Sequence, residues 1–228
     1  AGLGGYSASV NGPTHAATED ISVMRAIPGM TVIVPADAVA IEKAVYAAVD
    51  HPGPVYIRIG MAVPDVHGPD YRLEIGKGVP LRREGKDAAI VACGLMVGKA
   101  MEAADRLAGE GLGVQVLEIH TLKPIDREEI VRVARDTGAL VTAEENNILG
   151  GLGGAVAEVL AEEIPTPMER VGVQDCYADT GSHEELLERF GLTTQHIVEA
   201  VRRAVARKRD RSRPPEGRAC DPTDVPSS

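Results

Sequence analysis

The chain has 228 residues, a formal net charge of −10 and 44% hydrophobic residues, with one Phe and no Trp. This length suffices for one large domain or two small ones, and the core must be built from Val, Ile, Leu and Ala, as in α/β sheets buried on both faces. The acidic balance argues against nucleic acid as the main partner, and no apolar run approaches the roughly 20 residues of a membrane span.

Short apolar runs alternate with amphipathic segments along most of the chain. The first part predicts, in order, a helix over 15–26, a strand over 31–36, a helix over 38–50 capped by Asp37, and a strand over 54–60. The second part predicts strands over 88–94, 113–119, 138–145 and 168–173, with helices over 96–109, 127–136 (capped by Asp126), 153–163, 182–190 and 194–208. This alternation implies βαβ crossovers and a mostly parallel sheet.

A break rich in Pro, Gly and charge divides the two parts, with one short β-like piece over 71–76. We therefore predict a first domain over 1–62, a linker over 63–79, a second domain over 80–207 and a disordered tail over 208–228. The first domain has too few elements for a doubly wound sheet of its own. It is expected to be the end of a larger domain.

Two residues stand where α/β proteins bind ligands. His15 follows the turn Asn11-Gly12-Pro13, and Thr14 can cap the helix expected there, which places His15 where it could contact an anion or a substrate oxygen. Arg58 ends a strand, where side chains point into the ligand crevice. The alternatives are a surface or capping histidine, and an arginine in an ion pair or exposed at a sheet edge.

Other motifs carry weaker signals. The run GGLGGAV over 150–156 resembles a phosphate-cradling loop, but it lacks the Lys-Ser/Thr of a P-loop, and close packing of a helix explains it better. Glu144 and Glu145 are adjacent in a strand, so they should face opposite sides. The histidines His120, His183 and His196 are isolated, and the three cysteines (Cys93, Cys176 and Cys220) have neither metal-ligand nor disulfide spacing, which fits a reducing cytoplasm.

The segment ASVNGPTHAATEDISVMRAIPGMTVIVPADAVAIEKAV resembles the D-G-P-T-H-Q…E-D…MR…P-A-D segment of transketolases. The match continues through GPVYIRIG, DAAIVACGLMVGKAMEAA, LEIHTLKPID and TAEENNILGGLGGAVAEVL, and it covers roughly residues 3–207. The nearest type is the split kind, in which this chain would be the C-terminal subunit. The resemblance implies the end of a pyrimidine-binding domain, followed by a three-layer α/β/α domain whose mostly parallel sheet has one antiparallel strand.

The resemblance also implies an activity and a site. Such enzymes use thiamine diphosphate and a divalent metal, Mg²⁺, to move a two-carbon ketol group from a ketose phosphate to an aldose phosphate. The motif implies that His15 is catalytic and contacts sugar oxygens, that Asn11 and Thr14 help to bind the sugar, and that Arg58 binds its phosphate. Deoxyxylulose-phosphate synthase and the beta subunits of 2-oxo-acid dehydrogenases share the architecture and are the alternative functions.

The chain departs from the family pattern in ways that bear on substrate and cofactor. Asn11 replaces an Asp, Ala16 replaces a Gln, and Met61 stands where many split homologues have Arg. The family's cofactor-activating Glu and its metal and diphosphate motif are both missing from the sequence. The chain is therefore expected to be an inactive fragment alone, completed by an N-terminal subunit in a homodimer or heterotetramer. As an isolated chain, a dimerisation module is the non-enzymatic alternative.

Overall fold

The computed structural model describes residues 1–61 and 65–209. The helices are α1 (Asp20–Ala26), α2 (Ala38–Val49), α3 (Met96–Gly109), α4 (Arg127–Thr137), α5 (Leu152–Glu163), α6 (His183–Arg189) and α7 (Thr194–Arg209). The strands are β1 (Thr31–Ile33), β2 (Val55–Ile57), β3 (Val79–Arg82), β4 (Ala88–Ala92), β5 (Val114–Glu118), β6 (Thr121–Lys123), β7 (Leu140–Asn147) and β8 (Met168–Val173). Among these residues, no helix combines the length and apolarity needed to cross a membrane.

The second part of the chain folds around a five-stranded sheet in the order β3-β5-β4-β7-β8. All neighbouring pairs are parallel except β3 with β5, which is antiparallel. Side chains alternate along β4: Ile90 packs with α3 and α7 on one face, whereas Val91 packs with α4 and α5 on the other. The predicted three-layer α/β/α arrangement with one antiparallel strand is therefore confirmed.

The first part does not build its small sheet alone. Strand β1 pairs in parallel with β2 on one side and antiparallel with β6 on the other. Strand β6 belongs in sequence to the second part, and the Val34 amide extends the contact by donating to the carbonyl of His120, at 2.7 Å. The two parts thus share a sheet, because a strand of the second covers an edge of the first.

Most predicted elements are present within two residues of their expected bounds, and the caps predicted at Asp37 and Asp126 are made, whereas Thr14 caps no helix. The side chain of Asp37 accepts from the Ala40 amide at 2.7 Å, and that of Asp126 accepts from the Glu129 amide at 3.2 Å. Each cap satisfies a donor that the first turn of a helix leaves unpaired.

The helix predicted over 15–26 is wrong in its first turn, because α1 begins only at Asp20. Ala17 forms an isolated antiparallel bridge with Gly5, and this extended pairing prevents a helix from starting before it. Strands β3 and β6 were not predicted, and residues 71–76 form no strand. The tail prediction lies outside the described residues beyond Arg209, and the domain boundaries remain predictions.

The carboxylate of Asp37 joins α2 to the segment that links the two parts. Besides capping α2, it accepts hydrogen bonds from the Val66 and His67 amides at 2.8 and 2.6 Å. Burial alone would raise the pKa of Asp37, but these amide donors bring it below its usual range. Its stabilising effect is therefore present above the unfolded-state pKa and is lost as the pH falls through the lower folded-state value.

Replacing Asp37 by Ala should lower the free energy of unfolding by about 2–4 kcal/mol, because three amides lose their acceptor. Urea denaturation at pH 7 measures the change. Asp50→Ala, at the exposed C-terminal end of the same helix, is the control and should change stability by less than about 0.5 kcal/mol. Equal losses in the two variants would contradict this account.

Candidate functional site

Residues 9–15, which we call the lip, carry three of the predicted site residues. Two consecutive 3-10 turns, Ser9–Asn11 and Pro13–His15, meet at Gly12, whose φ of 97° lies in the region that favours glycine. Asn11, Thr14 and His15 are each solvent-exposed in these turns. The lip therefore presents an amide, a hydroxyl and an imidazole to solvent.

The imidazole of His15 is oriented by its neighbour. Thr14 Oγ1 lies 3.1 Å from His15 Nδ1. When the hydroxyl donates to Nδ1, the proton of the neutral ring is on Nε2, where it can be donated to a ligand oxygen. His15 lies in a 3-10 turn rather than at the start of an α-helix, so its geometry comes from the turn and not from a helix terminus.

The lip is attached to the second part of the chain. Ser9 Oγ donates to the carbonyl of Gly181 at 3.0 Å. A Cβ built at Gly12 would lie 3.5 Å from Thr180 Oγ1, so the loop before α6 contacts the bend of the lip. Residues from both parts of the chain therefore form this edge of the molecule.

Arg58 does not face solvent beside His15. Its side chain is 4% exposed, and Nε donates to the carboxylate of Asp20 at 3.1 Å. Its Nη2 donates to the carbonyls of Ala17 and Glu145 at 3.0 and 2.8 Å. Burial by itself lowers the pKa of Arg58, but the two carboxylates raise it overall, so the guanidinium stays charged.

These contacts match one of the two interpretations of Arg58. Its side chain forms ion pairs with Asp20 and Glu145, as the ion-pair alternative expects, and its role as a phosphate ligand stays a prediction. The sequence placed Arg58 correctly after β2, but it did not show that an acidic side chain of α1 would already occupy the crevice.

Glu145 lies behind the lip and contacts three separate segments. Its Oε1 accepts from the Tyr6 amide at 3.0 Å and from His183 Nε2 at 2.9 Å, and its Oε2 is 3.7 Å from Arg58 Nη1. Sequence reasoning missed Tyr6 and His183 as partners of this carboxylate. The available signal was the pair Glu144-Glu145, because charged residues at the end of a buried strand need partners.

Glu144 and Glu145 face opposite sides of β7, as predicted. Glu144 accepts hydrogen bonds from the Leu152 and Gly153 amides at 2.7 and 2.8 Å. These amides open α5 and would form the cradle of a phosphate-binding loop, but a carboxylate of the same chain already occupies them. The glycine run is therefore explained by internal packing, as the sequence analysis favoured.

Two observations on the described residues bear on cofactor and metal binding. The helix start that resembled a diphosphate cradle is filled by Glu144, and residues 1–61 and 65–209 contain no cluster of three or more His, Cys, Asp or Glu side chains suited to a metal ion. Cys93 is buried, and Cys220 lies outside the described residues.

Most of the chain matches two domains of known proteins. Residues 2–61 match the transketolase pyrimidine-binding domain, and residues 76–197 match the transketolase C-terminal domain. A solved structure described as a split-gene transketolase, inactive β4 tetramer, superimposes with a TM-score of 0.83 at 48% identity, over 91% of this chain and 66% of the other. The chain belongs to the transketolase family.

Two curated relatives show the range of activities around this chain. The 6-deoxy-6-sulfo-D-fructose transketolase subunit SqwH of Clostridium sp. (strain MSTE9) is 46% identical over 90% of this chain and 63% of its own length. The 1-deoxy-D-xylulose-5-phosphate synthase of Syntrophotalea carbinolica is 39% identical over 84% of this chain and 31% of its own length. The chain thus spans under two thirds of the first relative and about a third of the second.

If Arg58 is a structural ion-pair residue, Arg58→Lys should lower the free energy of unfolding by about 3 kcal/mol, because lysine cannot keep the forked contacts with Asp20, Ala17 and Glu145. Urea denaturation measures this loss. Arg127→Ala, which removes an exposed arginine paired with Glu162 and Glu163, is the control and should have little effect. Unchanged stability in Arg58→Lys would restore the phosphate-ligand interpretation.

The buried Glu144 predicts a pH dependence of stability. Burial raises its pKa to about 7, although the Gly153 and Leu152 amides act against this rise. Because the folded-state value is raised, the contribution of Glu144 is fully present below its unfolded-state pKa of 4.5 and is lost as the pH rises through about 7. The free energy of unfolding attributable to this group should therefore fall between those two values.

Glu144→Gln should flatten this dependence, because glutamine does not titrate. Urea denaturation at several pH values between about 5 and 8 compares the slopes of stability against pH. Glu128→Gln, at a side chain that is 88% exposed, is the control and should keep the wild-type slope. Identical slopes for wild type and Glu144→Gln would contradict the raised pKa.

Proposed function

We propose that this chain is the C-terminal part of a thiamine diphosphate-dependent transketolase of the split kind, working with an N-terminal subunit in the cytoplasm. The reaction moves a two-carbon ketol group from a ketose phosphate, or a ketose with another terminal anion, to an aldose phosphate. The lip carries the proposal, because Asn11, Thr14 and His15 of the family motif are all solvent-exposed in it. The two family domains and the split-gene relatives support it.

In this proposal the cofactor and Mg²⁺ are held mainly outside this chain, and the chain supplies groups to the sugar. His15 is the catalytic residue: with Nδ1 engaged by Thr14, its Nε2 donates a hydrogen bond or a proton to a sugar oxygen as negative charge develops there. Asn11 and Thr14 add neutral hydrogen-bonding groups that orient the sugar hydroxyls. The chain alone is expected to be inactive.

The candidate donor sugars differ in their terminal anion, which is a phosphate or a sulfonate. The residues of this chain do not show which of these anions is bound. Arg58 is buried in ion pairs, and Met61 is exposed where many split homologues have Arg. In this proposal, either Arg58 after release from these pairs or another cation of the assembled enzyme binds the anion. The Clostridium relative is described as acting on a sulfonated fructose, so a sulfosugar is the first alternative donor to test beside the sugar phosphates.

A synthase that condenses 2-oxo acids is the second candidate function. The 39% identity to a deoxyxylulose-phosphate synthase favours it, and a 2-oxo-acid dehydrogenase beta chain remains a further alternative. Asn11 in place of the family Asp removes a charge from the sugar-facing lip, which weakens recognition of a specific hydroxyl. Pyruvate and other 2-oxo acids are therefore assayed beside xylulose 5-phosphate and 6-deoxy-6-sulfo-fructose.

The decisive experiment combines the full-length product of this gene with an N-terminal transketolase subunit, thiamine diphosphate and Mg²⁺. Ketol transfer from a ketose phosphate or sulfosugar supports the proposal. Turnover of 2-oxo acids alone supports the synthase, and turnover of none of these donors contradicts an enzymatic role, leaving the dimerisation module. Light scattering of the chain by itself measures its oligomeric state and so tests the dimerisation module.

In the active assembly, His15→Ala should lower kcat/KM about 10²–10³-fold, because the hydrogen-bond donor at the sugar oxygen is lost. Cofactor affinity, measured by calorimetry, should stay unchanged. His51→Ala is the control: this histidine bonds Thr31 at the start of β1 and should leave kcat/KM unaltered. A wild-type kcat/KM in His15→Ala would remove His15 from the mechanism.

A further inference from the structure

Glu145 connects the sugar-facing edge of the first part to the core of the second. Its carboxylate is 3% exposed, and it contacts the backbone of Tyr6, the imidazole of His183 and the guanidinium of Arg58. These partners lie in three separate segments: the turn that leads into the lip, the first turn of α6, and the residue after β2. A buried carboxylate persists only where such partners satisfy it.

The chain before the lip is shaped to receive this carboxylate. Gly5 has a φ of 63°, and a Cβ there would lie 2.1 Å from Glu145 Oε2, so any side chain would displace the carboxylate. Gly5 also forms the bridge to Ala17, which closes a loop around residues 6–16. The two ends of that loop, and hence the position of His15, are fixed at the point where Glu145 binds.

Further contacts join the residues in and before the lip to the second part of the chain. The ring of Tyr6 is fully buried and stacks on Phe190 with centroids 5.2 Å apart, and Ser9 bonds the carbonyl of Gly181. Phe190 and Gly181 stand on either side of α6, whose first residue is His183. The lip therefore rests on α6 and on the end of β7 rather than on the small sheet of its own part.

We propose that Glu145 is a positioning residue, which holds the lip on the second part of the chain through the Tyr6 amide, His183 and Arg58. It does not touch the sugar; it fixes where His15 presents its imidazole. This assigns the C-terminal part a role in the site beyond dimer contacts. Its catalytic consequence rests on the proposed function, whereas its structural consequence can be measured without turnover.

Hydrogen exchange on the full chain tests the proposal. Glu145→Gln keeps the shape of the side chain, but its amide must direct a donor toward Arg58 or toward the Tyr6 amide and His183. The Tyr6, Gly5 and Ala17 amides should then exchange about tenfold faster. Glu144→Gln is the matched control, being adjacent, equally buried and bonded to the Leu152 and Gly153 amides instead. It should speed exchange at the start of α5 only.

His183→Gln provides a second variant if Glu145→Gln fails to fold, because the His183 side chain is 18% exposed. Faster exchange confined to residues 5–18 in this variant, but not in Glu144→Gln, supports the proposal. Equal exchange rates of residues 5–18 in the two variants, or a loss of protection spread evenly over the chain, overturns the proposal. In the assembled enzyme, Glu145→Gln should lower kcat/KM about tenfold and leave cofactor affinity unchanged. If the wild-type assembly shows no turnover, the proposed function is contradicted, but the hydrogen-exchange result still tests the positioning role of Glu145.

Discussion

The rest of the site depends on the ion pairs that the Arg58 guanidinium forms with Asp20 and Glu145. One cation buried with two carboxylates joins α1, the end of β2 and the end of β7. Removing Arg58 would take the shared cation away from Asp20 and Glu145 in a largely buried region, which is far costlier than breaking an exposed pair. The lip, the loop before α6 and the shared edge of the two parts are arranged around this group.

Much of the fold follows from local pattern, because the second part repeats a short apolar strand and an amphipathic helix with clear caps. What the sequence could not provide was pairing between distant segments. Strands β3 and β6 are short and pair with partners far away in the chain, and α1 starts late because Ala17 is held by Gly5. Periodicity reports which face of an element is apolar, but it carries no information on which distant strand will pair with it.

In the candidate site too, features that depend on local sequence were predictable, whereas contacts between distant segments were not. The lip could be predicted because Asn11-Gly12-Pro13 is a strong local turn signal and the motif around His15 is contiguous. Arg58 was placed in the correct element and an ion pair was one of its two interpretations, but nothing near it in sequence reveals Asp20 and Glu145 as the partners. The pair Glu144-Glu145 shows the value of strand alternation: one carboxylate closes the start of α5, and its neighbour reaches the lip.

Strand β6 has a consequence for how such proteins can be recombined. Because β6 supplies the second neighbour of β1, cutting the chain between its two parts would leave β1 with a bare edge and β6 with unpaired amides. A chimera that joins this first part to a second part from another relative would need a matching substitute for residues 121–123. The unit that can be exchanged among these enzymes is therefore the pair of domains, and a junction between them is a poor place for a crossover.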